Sequence, residues 1–158
     1  MFAMMSLSAV LLVAGANTAP QKAEVAEIPK KDCKNNTVYK DSGTNLMWQD
    51  AVYTDAEDGA YKNKRSLGKA GTQSHARKYC STLIYAGYSD WRLPTSDEMQ
   101  AIHRKEGQVF ANARDTDFWT STPTRLGRYF VIYPADAYRY ERKPNNVNYI
   151  RCVRCTEN

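Results

Sequence analysis

The chain has 158 residues, enough for one domain with a real core once the termini are set aside and too few for two. It carries 22 lysines and arginines against 17 aspartates and glutamates, a net charge of +5. Such a balance would suit nucleic acid, but the chain opens with an export signal that removes it from most nucleic acid, so no nucleic-acid partner is expected.

Residues 1–16 are read as that signal peptide. The apolar run Leu7 to Ala16 ends in Ala14, Gly15 and Ala16, the small-residue pattern of a signal-peptidase site. No Lys or Arg precedes the run, the one feature that favours a buried helix instead. It falls short of the roughly 20 apolar residues needed to span a bilayer, and no cysteine follows it to take a lipid. Residues 17–32 contain two prolines, no aromatic residue and charges of both signs, the composition of a flexible lead. The domain is expected over 33–158.

Thr37–Lys40 and Thr44–Gln49 predict two strands joined at Asp41, Ser42 and Gly43, a hairpin given apolar weight by Leu46, Met47 and Trp48. Between Asp50 and Gly71 the periodicity fails, and Gly59, Gly68 and Gly71 lie among scattered charges, so a long surface excursion is expected. Its acidic start, Asp50, Asp55, Glu57 and Asp58, has residues fit for a hard cation such as calcium. The spacing lacks the alternation and terminal Glu of an EF-hand, and a solvated loop is the preferred reading.

From Thr72, Ala76, Tyr79, Cys80 and Leu83 fall at i, i+3, i+4 and i+7 and predict a helix that stops before Gly87, with Arg77 and Lys78 on its other face. Tyr88 to Met99, YSDWRLPTSDEM, then spells a boundary. Trp91 is a core anchor and Arg92 a candidate internal ion-pair partner. Pro94 stops the extended run, and Thr95 with Glu98 three residues on forms a capping box. The second helix runs to about Lys105, with Met99 and Ile102 inward and Gly107 as its stop. His75 and His103 lie in these two helices without partners at metal spacing, and are read as surface or helix-end residues.

The last third is rich in aromatic and β-branched residues. Phe118–Thr122, Arg128–Tyr133, Tyr138–Glu141 and Val147–Arg154 read as a strand followed by an antiparallel meander, and the first hairpin is expected to pair with the last strand. The order of strands, helices and strands is α+β. Trp48, Trp91 and Trp119 are the expected structural core.

Cys33, Cys80, Cys152 and Cys155 in an exported chain predict disulfides. A Cys152–Cys155 bond would have to close within an extended strand, where alternate positions face opposite ways. Of the two pairings that remain, the preferred one joins Cys80 to Cys152, helix to last strand, and Cys33 to Cys155, end to end. A redox role for Cys152 and Cys155 is disfavoured because that motif normally opens a helix. Zinc is disfavoured because a second two-cysteine knuckle is missing.

Catalytic patterns are scarce. Gly87 to Trp91 begins like a nucleophile elbow, but Trp91 stands where a second glycine is needed. Gly68 to Thr72 has a phosphate-loop composition in the wrong order. Neither an enzyme nor a bound cofactor is expected. The binding signal lies downstream: Arg125 to Arg154 holds seven basic residues, Arg125, Arg128, Arg139, Arg142, Lys143, Arg151 and Arg154, against Asp136 and Glu141. Tyr129, Tyr133, Tyr138 and Tyr140 are interleaved with them. The expected ligand-binding residues are Arg125, Arg128, Tyr138, Arg139, Tyr140, Arg142 and Lys143, facing an acidic glycan or an envelope protein partner. Strand alternation puts Arg139 opposite Tyr138 and Tyr140, so they do not all share one patch.

TNLMWQD at 44–50, YCSTL at 79–83, GYSDWRLPTSDEM at 87–99, FWTST at 118–122 and YIRCVR at 149–154 together resemble the successive blocks of the Lcl C-terminal domain family, in the family's order. That family is named after a collagen-like bacterial surface adhesin. The resemblance implies a C-type-lectin-like fold: two short helices, a mostly antiparallel sheet, paired N- and C-terminal strands and a disulfide staple from helix to last strand, as for Cys80 and Cys152. It implies an exported bacterial protein at the periplasm or cell surface that recognises a ligand, or alternatively a non-catalytic structural subunit of an envelope assembly such as a pilus, secretion system or motor. Asn45 stands where the family usually has glycine, and asparagine tolerates the left-handed conformation needed there. Formylglycine-generating enzymes share the fold but are longer and need reactive cysteines. The Glu-Pro-Asn motif of calcium-dependent lectins is echoed only by Lys143, Pro144 and Asn145, without a carboxylate.

Overall fold

The computed structural model describes residues 37–156. The expected signal peptide over 1–16, the lead over 17–32, and Cys33 lie outside them. Among the described residues the architecture is α+β, with three helices and two sheets.

Strands β1 (Val38–Asp41) and β2 (Leu46–Gln49) form the expected hairpin, which turns through Asn45 at φ 55°. Asp41 closes β1 and its carboxylate accepts from the Gly43 N–H and the Thr44 hydroxyl, an Asx-type turn. Strand β8 (Val153–Cys155) adds antiparallel to β2, pairing the two ends of the domain. The second sheet has the order β3 (Ala70–Gly71), β7 (Asn148–Tyr149), β4 (Phe118–Pro123), β5 (Tyr129–Tyr133), β6 (Tyr138–Arg142).

Two departures from the sequence reading concern this framework. The run Val147–Arg154 is not one strand: it is split into β7 and β8, which belong to different sheets. And the meander ends at β6, because β7 crosses back to pair in parallel with β4. Residues 150–152 make the crossing, and Arg151 in their middle turns its side chain into the interior.

A third departure is a helix where a surface excursion was expected. Helix α1 (Asp55–Lys62) begins at a capping box in which the Thr54 hydroxyl accepts from the Glu57 N–H and the Glu57 carboxylate accepts from the Thr54 N–H. Its charges mask any apolar stripe; only Glu57 and Ala60 are buried. Glu57 also takes the Lys69 N–H at 2.7 Å and its ammonium at 2.8 Å. Gly68, at φ +53°, lets the chain pass, since a Cβ there would stand 2.2 Å from the Glu57 carboxylate.

Helix α2 (Gln73–Thr82) buries Ala76 and Cys80, and α3 (Ser96–His103) buries Met99 and Ile102 behind the Thr95–Glu98 capping box. The latter ends at Arg104, before Gly107. Cys80 and Cys152 are joined by a disulfide, one residue ahead of β8.

Two hydrophobic cores lie on opposite faces of the strands. Leu46, Trp48, Phe118, Ile132 and Tyr149 point to one, with Ala60, Met99 and Ile102 from the helices. Their neighbours Met47, Trp119, Val131 and Ile150 point to the other, with Ala76, Cys80 and Trp91. The period-2 alternation of a strand therefore serves both faces, and consecutive apolar residues in the central strands, Leu46–Trp48 and Phe118–Trp119, are buried on both sides. Trp48, Trp91 and Trp119 are each no more than 2% exposed.

His103 ends α3 edge-on to Phe110, with no hydrogen-bond partner for its Nε2 among the described residues. Burial, with the charge of Arg151 second, pushes its imidazole down from 6.5 to about 4. The unfolded chain takes up this proton first, so the contribution to stability is full above about 6.5 and is lost as pH falls toward 4. The gap corresponds to at most roughly 3 kcal/mol. We expect unfolding titrations between about pH 7 and 4 to show this loss, and His103→Gln to flatten it. An unchanged slope in the variant overturns the assignment.

Candidate functional site

The basic residues of the last third do not form one surface. Arg151 and Arg154 face inward, 1% and 4% exposed. Arg151 pairs with Asp50; Arg154 pairs with Asp90 and lies 3.7 Å from the Tyr88 ring centre. Arg139 sits opposite Ile132 in the β5–β6 register, on the face that packs α3, and there meets Asp97 and Gln100. Arg142 is held 2.6 Å from Asp117 and stacks over Tyr140, whose hydroxyl donates to Asp136. Tyr138 is exposed on the same strand, and Lys143 is exposed in the turn after it. Arg125 and Arg128 project from the β4–β5 turn, which is closed by the Thr124 N–H on the Arg128 carbonyl at 2.8 Å. Of the seven expected ligand-binding residues, Arg125, Arg128 and Lys143 have no carboxylate partner among the described residues.

Arg128 instead joins cations from elsewhere in the chain. A groove of about 1090 Å³ runs between α2, the Arg92–Thr95 segment and the β4–β5 turn. Arg77 and Lys78 enter it from α2, Arg92 from the boundary stretch and Arg128 from the turn, and no carboxylate is among its lining residues. The groove stands where it does because the apolar stripe of α2 pins Ala76 and Cys80 to the sheet, leaving Arg77 and Lys78 exposed. Arg92 is fixed by a bidentate pair with Glu98, at 2.6 and 2.8 Å, which holds the guanidinium well charged. The pair leaves Arg92 half-exposed rather than internal. Arg77, Lys78 and Arg128 have no such counter-charge among the described residues. Arg77 and Lys78 were visible in the sequence as the outer face of a helix, but nothing local ties that face to a turn some fifty residues on.

The acidic start of the former excursion has no common focus. Asp50 accepts from the Ala111 and Asn112 N–H groups and from Arg151. Glu57 serves Thr54 and Lys69, while Asp58 takes Arg114 at 2.8 Å and the Tyr149 hydroxyl at 2.6 Å. Arg114 beside it holds the Asp58 carboxyl below the usual range, ahead of the Tyr149 bond. Among the described residues no three metal-ligating side chains converge.

Compared with known proteins, residues 36–154 match the family model described as the Lcl C-terminal domain. No curated protein matches the chain.

Proposed function

The chain belongs to the Lcl C-terminal domain family, which suggests a surface-adhesin-like domain, and from that premise we propose that it is an exported bacterial recognition module holding an acidic glycan in its basic groove. The observation that carries this reading is the meeting of Arg77, Lys78, Arg92 and Arg128 around one groove with no lining carboxylate. Arg77, Lys78 and Arg128, gathered without counter-charge beside the Glu98-paired Arg92, repel one another, and an external polyanion relieves that repulsion. Guanidinium forks match sulfate and carboxylate groups in a bidentate way, and Lys78 adds a mobile point charge. The reading is one of binding and assigns no reaction to the domain.

An Arg77→Glu/Arg128→Glu variant tests it against heparin in the periplasmic or secreted protein. We expect affinity to fall at least about tenfold, roughly 1.4 kcal/mol, with a shallower salt dependence. Both side chains are exposed, so stability should change by no more than about 1 kcal/mol. An Arg139→Ala/Arg142→Ala/Lys143→Ala variant should weaken heparin less. Unchanged heparin binding with lost binding to polyglutamate moves the groove to an acidic protein partner; if neither polyanion binds through it, the reading fails.

A further inference from the structure

A second concavity, of about 490 Å³, lies across the β7–β4–β5–β6 side of the five-stranded sheet beside the turn after β6. Its floor follows from register. Phe118 pairs with Ile132 on β5 and with Tyr149 on β7, so their neighbours Asp117, Tyr133 and Asn148 form a row on the other face. Tyr140 and Arg142 join it from the edge strand, and Tyr61 closes one end. We propose that this concavity is a binding site for an uncharged saccharide, with a sugar ring against the tyrosines and its hydroxyls on the carboxylate, amide and guanidinium groups of the floor.

The wall has the chemistry of a polyol site. Asp117 and Arg142 neutralise each other at 2.6 Å, so nothing here favours a polyanion, in contrast to the groove on α2. Tyr61, Tyr133 and Tyr140 present amphipathic rings whose faces suit the C–H surface of a sugar. Those rings are held in place: Tyr61 stacks on Tyr149 at 4.6 Å and its hydroxyl meets Thr116, and the Tyr140 hydroxyl is held by Asp136. Hydrogen bonds to Asp115 and Asp136 push the Tyr133 and Tyr140 phenols up, which keeps both neutral.

The floor also holds an unspent donor. Asn148 is 4% exposed, and its Nδ2 has no hydrogen-bond partner among the described residues. Buried polar groups are nearly always paired, and an exception in the floor of a concavity marks a group awaiting an acceptor. Asn146 adds a second amide, whose Oδ1 accepts from the Lys143 N–H and whose NH₂ has no hydrogen-bond partner among the described residues. Planar donors and acceptors beside aromatic rings fit vicinal hydroxyls; an apolar ligand would leave them unpaired.

The test is NMR titration of the 15N-labelled protein with cellotriose, maltotriose and triacetylchitotriose, each raised to about 10 mM. We expect at least one to give saturable shifts centred on Tyr61, Tyr133, Tyr140 and Asn148, unaltered by added salt. Tyr140→Ala, at an exposed position, and Asn148→Ala should each weaken that response at least tenfold, and Arg77→Glu/Arg128→Glu should preserve it. Absence of saturable shifts with all three sugars overturns the proposal, as do shifts centred on α2 or a response that survives Tyr140→Ala. The site stands apart from the basic groove, so heparin binding and sugar binding fail independently.

Discussion

Replacing Arg151 by methionine is expected to lower the stability of the domain by about 3–5 kcal/mol, the cost of leaving a buried charge without its partner. Arg151 is 1% exposed. Its guanidinium lies 3.0 Å from the Asp50 carboxylate and 3.8 Å from the Phe110 ring centre, and it donates to the Gln49 carbonyl at 2.9 Å and to the Asn112 carbonyl. Asp50 in turn accepts the Ala111 and Asn112 N–H groups. One ion pair therefore gathers β2, the 110–112 segment and the crossing between the two sheets. Methionine fills much of the volume but leaves Asp50 charged in the interior. Adding Asp50→Asn should recover about 1 kcal/mol or more, because the uncompensated charge is gone while the amide oxygen still accepts one of the two backbone N–H groups that Asp50 holds. Urea unfolding of the two single variants and the double variant measures this; strictly additive losses would show that the pair is not coupled.

Removing the Cys80–Cys152 disulfide should cost about 4 kcal/mol. The bond spans a separation of 72 residues, and the chain-entropy relation for a loop of that length yields this figure. Both cysteines are fully buried among Trp91, Trp119 and Ile150, so a Cys80→Ala/Cys152→Ala variant also leaves a small cavity. The bond ties α2 to the segment from which β8 leaves, and the loss should be seen as a lower denaturant midpoint. Equal midpoints for oxidised and reduced protein would overturn the expectation. Cys155 is an exposed thiol among the described residues, and Cys33, its expected partner, lies outside them.

Several local signals were read accurately where a helix or turn satisfies itself. Thr95 and Glu98 cap α3, Ala76 and Cys80 form the buried stripe of α2, and Asn45 adopts the left-handed conformation. Helix α1 carried the same kind of signal in Thr54 and Glu57, but its exposed charges left no apolar stripe to confirm it, and its glycine argued against a helix. The binding surface was less legible. Counting charges along 125–154 treated Arg151 and Arg154 as surface, yet both are buried in ion pairs with Asp50 and Asp90, partners 101 and 64 residues away along the chain that no local count could find.

The amino-acid sequence by itself determined the α+β class, the hairpin and two of the helices, because each rests on periodicity or capping within a short stretch; the order of its motifs pointed to the family, and that resemblance agreed with the Cys80–Cys152 pairing preferred over its alternative. Tertiary structure alone decided which cations face solvent and which concavities they line. Arg128 joins Arg77, Lys78 and Arg92, while Arg142 turns to Asp117. The reason is physical: a charge's role depends on its partner and its burial, and both are set by strand register and by the crossing of β7, neither of which is written in local sequence.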